Sequence, residues 1–146
     1  MKLLHGTDAV FERFSMDHSA RPGISGNSFL GVWLAVQPDL ALRYGERCLE
    51  VDADVGNAYA MPLSELAALN SRCRQECADL FDERAIRELE REFYTKVRKQ
   101  LLADGCDTIE VKELRSRVDI VITLDPQRLT ILDARSREDM AEPARQ

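Results

Sequence analysis

Apolar positions along the chain fall into two rhythms, and the switches between them predict the elements. Lys2 to His5 reads as a short first strand, broken by Gly6. Asp8 to Phe14 sets Val10, Phe11 and Phe14 at helical or turn spacing. Ser15 to Asn27 carries Pro22, Gly23 and Gly26 with almost no apolar period, so it reads as a loop. Phe29 to Val36 is apolar on both faces, which predicts a central strand. Pro38 then opens a short helix carrying Leu40, Ala41 and Tyr44, and Gly45 stops it. Cys48 to Val55 alternates, Leu49 and Val51 against Glu50 and Asp52, as a half-buried strand does.

After the Gly56-Asn57 turn, Met61-Pro62 leads into a helix from Leu63 with Leu66, Ala67, Leu69 and Cys73 along one side. Asp82 is the expected cap of the longest helix. Ile86, Leu89, Phe93, Val97 and Leu101 recur at three- to four-residue spacing through Ala103, and Gly105 is the expected stop. Strands follow at Thr108 to Val111, Val118 to Leu124 and Leu129 to Leu132. The order predicts one α+β domain over residues 1–133, followed by a charged tail, 134–146, expected to be flexible.

Composition narrows the function classes. The 146 residues suit a single core, and 45% hydrophobic with 32% charged residues is the balance of a globular protein. A net charge of −6 argues against a protein that coats nucleic acid, because such binding draws on a basic face. No apolar run is long enough to cross a bilayer, and His5-Gly6 interrupts the N-terminus before a signal-peptide core develops. The expectation is a cytoplasmic protein without a membrane partner, with delivery into a target cell as an effector left open. Four cysteines read as reduced packing residues. With only His5 and His18 to add imidazole, no metal is expected.

The candidate chemistry centres on Gly31 to Gly45. Trp33 sits on a strand and Tyr44 on the following helix, near a glycine that lets backbone come close. Two flat rings so placed either fill a strand-to-helix corner or sandwich a planar ligand. The loop 15–27 stands directly before this strand, where it could fold over whatever the strand binds.

His5-Gly6-Thr7 at the end of the first strand, Gly31-Val32-Trp33-Leu34-Ala35 with Ala41 and Tyr44, Gly105-Cys106-Asp107-Thr108-Ile109, and a late strand followed by Asp125-Pro126-Gln127 together resemble the ADP-ribosyltransferase fold. The resemblance spans residues 2 to 132. It is closest to the His-Tyr-Glu branch, which holds diphtheria toxin, the poly-ADP-ribose polymerases and small phage and bacterial members. It implies a split β-sheet core with flanking helices. It also implies a toxin-like mono-ADP-ribosyltransferase that takes NAD as substrate, cleaves its nicotinamide–ribose bond and transfers ADP-ribose to an acceptor. Protein is favoured over nucleic acid as that acceptor by the acidic charge.

On the same resemblance, His5 would hydrogen-bond a ribose hydroxyl of NAD, with Thr7 beside it, and the Gly6 backbone would hold the nicotinamide amide. Trp33 and Tyr44 would stack on the nicotinamide, Trp33 standing where the family has tyrosine. Ser28 and Asn27 would meet the ribose, and Arg13, Arg21 and Arg43 the pyrophosphate. The family's late-strand glutamate faces an oxocarbenium-like transition state, whose developing positive charge a carboxylate stabilises. Here Asp119 lies six residues before Asp125, and Ile120 occupies the family's position five before it. Asp119 is thus the candidate catalytic carboxylate, with Glu110 and Glu113 as alternatives. Two further readings stand beside this one. One is a catalytically impaired module on the same fold that binds a nucleotide or a protein partner. The other is a relative of the RNA 2′-phosphotransferases, whose full arginine set is missing here.

Overall fold

The computed structural model describes residues 1–16, 26–113 and 117–141. Arg21, His18 and most of the 15–27 loop lie outside the described residues, as do 114–116 and 142–146. The chain folds as α+β around a seven-stranded sheet. In chain order the strands are β1 (Lys2–Thr7), β2 (Val32–Ala35), β3 (Arg47–Ala53), β4 (Ala58–Pro62), β5 (Thr108–Lys112), β6 (Val118–Thr123) and β7 (Leu129–Ser136). The helices are α1 (Pro38–Ala41), α2 (Leu63–Glu76), α3 (Glu83–Ala103) and α4 (Arg137–Ala141). Strand order is β4-β5-β6-β2-β1-β3-β7, antiparallel throughout except for β4 beside β5. That pair is parallel because α2 and α3 intervene and carry the chain back to the starting end.

α2, α3 and a 3-10 turn at Gly26–Leu30 cover one face of the β4-β5-β6 half. Phe29, Leu30, Met61, Leu69, Ile109 and Ile122 form the centre of that core. The Asp82 carboxylate accepts from the Arg84 amide at 3.2 Å and so caps α3, and Gly105 leaves the helix with φ of 90°. Tyr94 is only 3% exposed; its hydroxyl donates to Asn70 Oδ1 at 2.7 Å, which satisfies the polar end of a buried ring.

On the opposite face, Leu3, Leu49, Val51 and Ala53 from β1 and β3 pack with Val32, Leu34 and Val121 from β2 and β6. This second core belongs to both halves of the sheet. The backbone joins them sparingly. β1 pairs with β3 from Lys2/Asp52 through Thr7/Arg47, yet it meets β2 in register only at Leu4/Ala35. Beyond that pair the two central strands diverge.

Several elements depart from the sequence expectation. Phe29 and Leu30 belong to the 3-10 turn, not to β2; their side chains are claimed by the core beneath α3. Residues 8–14 form no helix. β4 is an added edge strand, built from Ala58-Tyr59-Ala60-Met61-Pro62 by pairing with β5. β7 runs to Ser136, four residues past Leu132, and α4 follows it. Ser136 and Asp139 make a reciprocal cap there. The Asp139 amide donates to Ser136 Oγ at 3.1 Å and the Ser136 amide to Asp139 Oδ2 at 3.2 Å. β7 is an edge strand, with Asp133 and Arg135 exposed and a bulge opposite Glu50/Val51. Charge and bulge both discourage a further strand from adding there.

Asp107 ties the β3–β4 turn to the start of β5. It is 7% exposed and accepts from the Gly56 amide (3.1 Å), the Asn57 amide (2.7 Å) and Thr108 Oγ1 (2.6 Å), with Arg128 at 3.6 Å. Burial pushes its pKa up, but the hydrogen bonds from Thr108, Asn57 and Gly56 and the Arg128 charge outweigh it, and the net shift is downward. A carboxylate with a lowered folded pKa adds stability above its unfolded value, about 4, and loses it as pH falls through the folded value. The melting temperature is therefore expected to drop on acidification below about pH 4. Asp107→Asn should flatten that limb, and an unchanged acid limb in the variant would refute the assignment.

No helix among the described residues is long and apolar enough to cross a membrane. Cys48, Cys73, Cys77 and Cys106 are free thiols, and burial pushes Cys73 up to about 11, which makes it a poor nucleophile.

Candidate functional site

The divergence of β1 and β2 leaves a slot on the face that carries α1. Gly6 and Leu4 of β1, Trp33 and Ala35 of β2, Leu40 and Ala41 of α1, Tyr44, and Ile120 of β6 line it. Its empty space is about 230 Å³, counting the part open to solvent. In this conformation it admits about one water molecule.

Each wall has a local cause. Pro38 at the first turn of α1 sets the helical start after an extended Gln37. α1 passes directly into a 3-10 turn, Leu42–Tyr44, that ends at Gly45. Two glycines let this segment lie against β1 without spacing. A Cβ on Gly6 would overlap the Ala41 carbonyl, and one on Gly45 would meet the Thr7 carbonyl oxygen at 2.6 Å. Gly6 thus serves first to seat α1 on β1. Tyr44, 56% exposed, forms the outer wall. Trp33 forms the inner wall, and its Nε1–H donates to the Asn27 carbonyl at 3.1 Å, which pins the ring.

His5 crosses the gap that backbone pairing leaves. Continuing the Leu4/Ala35 register would place Gly6 opposite Trp33, and no such pair forms. Instead His5 Nδ1 lies 2.8 Å from the Trp33 carbonyl. A carbonyl only accepts, so Nδ1 carries the proton. The ring packs edge-on to Phe14 at 4.9 Å and Phe11 at 6.3 Å, and those two rings belong to the core on the far face. His5 therefore reaches the opening from the side opposite Tyr44.

The remaining candidates are spread. Thr7 is buried, and its Oγ1 accepts from the Ala9 amide at 3.0 Å, forming a turn at the end of β1. Ser28 is half-buried in the 3-10 turn before β2. Arg43 is exposed beside Tyr44, Arg13 is exposed on the segment after β1, and Arg21 lies outside the described residues.

Of the three carboxylates, Glu113 and Asp119 stand at the β5–β6 end, and Glu110 lies mid-strand on β5 opposite Val121. Glu110 accepts from Lys112 Nζ at 3.1 Å. Arg117 Nη2 reaches both Glu113 Oε2, at 3.2 Å, and Asp119 Oδ2, at 2.8 Å. Between β5 and β6 the register steps from Val111/Ile120 to Lys112/Val118, so Asp119 is an extra residue in a β-bulge. The bulge breaks the usual alternation. Val118 packs into the core shared by both halves, while Ile120 packs toward the α2–α3 side and lines the slot. Asp119, with its side chain 21% exposed, stands next to that wall, and its carbonyl accepts from the Val36 amide at 3.0 Å.

Two contributors were absent from the sequence reading. Ile120, which enters there only as the residue five before Asp125, lines the slot. Arg137, in the stretch taken for a tail, contacts the Tyr44 turn. The Ser136-Arg137-Glu138-Asp139 pattern is the capping-box signal from which α4 is predictable.

No family model matches this chain, and no curated protein matches it. A solved structure described as "Crystal structure of an anti-CRISPR protein" is similar over 90% of this chain and 95% of its own length. Its sequence identity is 15% and its TM-score 0.43, a likeness that carries no argument about this chain.

Proposed function

We propose that this chain is an ADP-ribosyltransferase-like enzyme that binds NAD across the opening between β1 and β2 and breaks its nicotinamide–ribose bond. The observation that carries this reading is the meeting of Gly6, Trp33 and Tyr44 around one slot, with the His5 ring spanning the same opening. The nicotinamide would lie between Trp33 and Tyr44. The exposed Tyr44 side chain turns outward to make room for it.

The bond from ribose C1′ to the nicotinamide nitrogen breaks, and its electron pair neutralises the pyridinium. A positive charge develops on the ribose, which Asp119 stabilises. An acceptor nucleophile, a protein side chain on this reading, then attacks C1′ and gives up a proton. What supports Asp119 in this role is its place in the bulge directly before Ile120, which lines the slot.

The second reading, a module that binds NAD or a related nucleotide without cleaving it, is favoured by Ile120 in the slot and by Arg117 against Asp119. Trp33 is the sole tryptophan, so its fluorescence reports the slot directly. NAD is expected to quench it, and Tyr44→Ala to weaken that binding about tenfold through the loss of one stacking face. Nicotinamide release measured in parallel separates the readings. Release supports the enzyme, quenching without release supports the module, and neither signal sinks both.

A further inference from the structure

Tyr44 is more than half exposed, so the contacts of its own ring do not set its place over the slot. The backbone of its turn does, and that turn is held from outside by the segment after β7. The Arg137 amide donates to the Glu46 carbonyl at 2.7 Å. The Arg137 guanidinium donates to the Leu42 carbonyl, and its Nε lies 3.2 Å from Glu46 Oε2. These contacts grip both ends of the segment Leu42–Glu46, with Arg43, Tyr44 and Gly45 between them. Leu42 ends α1, where carbonyls run out of helical donors, and a guanidinium is well shaped to supply one. Arg137 is itself fixed. The β3–β7 register places Ser136 opposite Arg47, and the Ser136/Asp139 cap sets Arg137 as the first residue of α4.

We infer that Arg137 is a positioning residue for the ligand site, a latch from the C-terminal segment that holds the turn carrying Tyr44 over the slot. The inference rests on the reading of Trp33 and Tyr44 as the two walls of a ring-binding slot. It gives the charged C-terminal stretch a part in binding that its composition hides. Lysine at this position keeps the charge but not the fork that reaches a carbonyl and a carboxylate together, so Arg137→Lys should fall between wild type and Arg137→Ala.

The test has two readouts on the full chain, with folding followed by circular dichroism. Amide hydrogen exchange over residues 43–46 reads the latch without any ligand. Quenching of Trp33 by NAD reads the site. Arg137→Ala is expected to speed exchange in that segment and to raise the Kd for NAD about tenfold, with Arg137→Lys between. If NAD turnover is observed, KM should rise by a similar factor while kcat stays within about twofold. Exchange and Kd both unchanged in Arg137→Ala would overturn the inference, and the lysine variant carries the same test should the alanine variant not fold. If NAD fails to quench Trp33 in the wild type, the slot reading fails, and the exchange data alone then decide whether Arg137 holds the turn.

Discussion

Asp119→Ala is expected to lower nicotinamide release from NAD by on the order of a hundredfold or more, while NAD still quenches Trp33. On the enzyme reading the effect is large because the side chain would act mainly as charge develops on the ribose, so its loss would fall on kcat rather than on binding. The ring walls, Trp33 and Tyr44, and the Gly6 that seats α1 belong to other strands and turns, and they stay in place. Asp119→Glu is expected to recover part of the rate by restoring a carboxylate from the same bulge. Glu110→Gln and Glu113→Gln should stay within about twofold of wild type, since neither is next to a residue that lines the slot, as Asp119 is next to Ile120. Release that survives Asp119→Ala but disappears in either glutamate variant would transfer the role to that residue.

Gly6→Ala is expected to cost about 2–3 kcal/mol and to lower the melting temperature by about 8 °C, as overpacking against a fixed backbone does. The added methyl meets the Ala41 carbonyl, a backbone group that cannot rotate away. Relief requires α1 to lift from β1. That also moves Leu40 and Ala41, which line the slot, and Tyr44 beyond them. NAD binding should therefore weaken along with the melting temperature. Thermal scanning and Trp33 titration of the same sample measure both, and a variant that melts with the wild type would show that α1 is not seated on Gly6.

Helices α1 to α3 were legible in the sequence because their signals are local. The stripe from Ile86 to Leu101, the Asp82 cap and the Gly105 stop need no distant partner to be read. β4 was not legible. Its alanines and its proline have little strand preference, and the pairing with β5 that makes it a strand joins residues 50 apart. The same division holds at the site. Trp33 and Tyr44 stand out through Pro38 and Gly45, which fix the corner between them. The surroundings of Asp119 depend on a bulge, and a bulge exists only relative to the facing strand. Arg137 was hidden because charge without apolar rhythm reads as solvated chain, although the reciprocal Ser136/Asp139 cap is written in four consecutive residues.

The way the two sheet halves are joined has a mechanical consequence. On one face they share a continuous apolar spine, Leu3, Leu49 and Val51 against Val32, Leu34 and Val121. On the other, past Leu4/Ala35, side chains replace strand pairing: His5 Nδ1 meets the Trp33 carbonyl, and Leu4 and Ala35 pack with Ala41 and Cys48. A joint with a single register pair is expected to give before the fully paired strands on either side of it. Opening there would pivot on the spine, with the slot on the open side of the angle. On the proposed reading, a flat molecule between Trp33 and Tyr44 would be a wedge, and its thickness would set the angle between the halves.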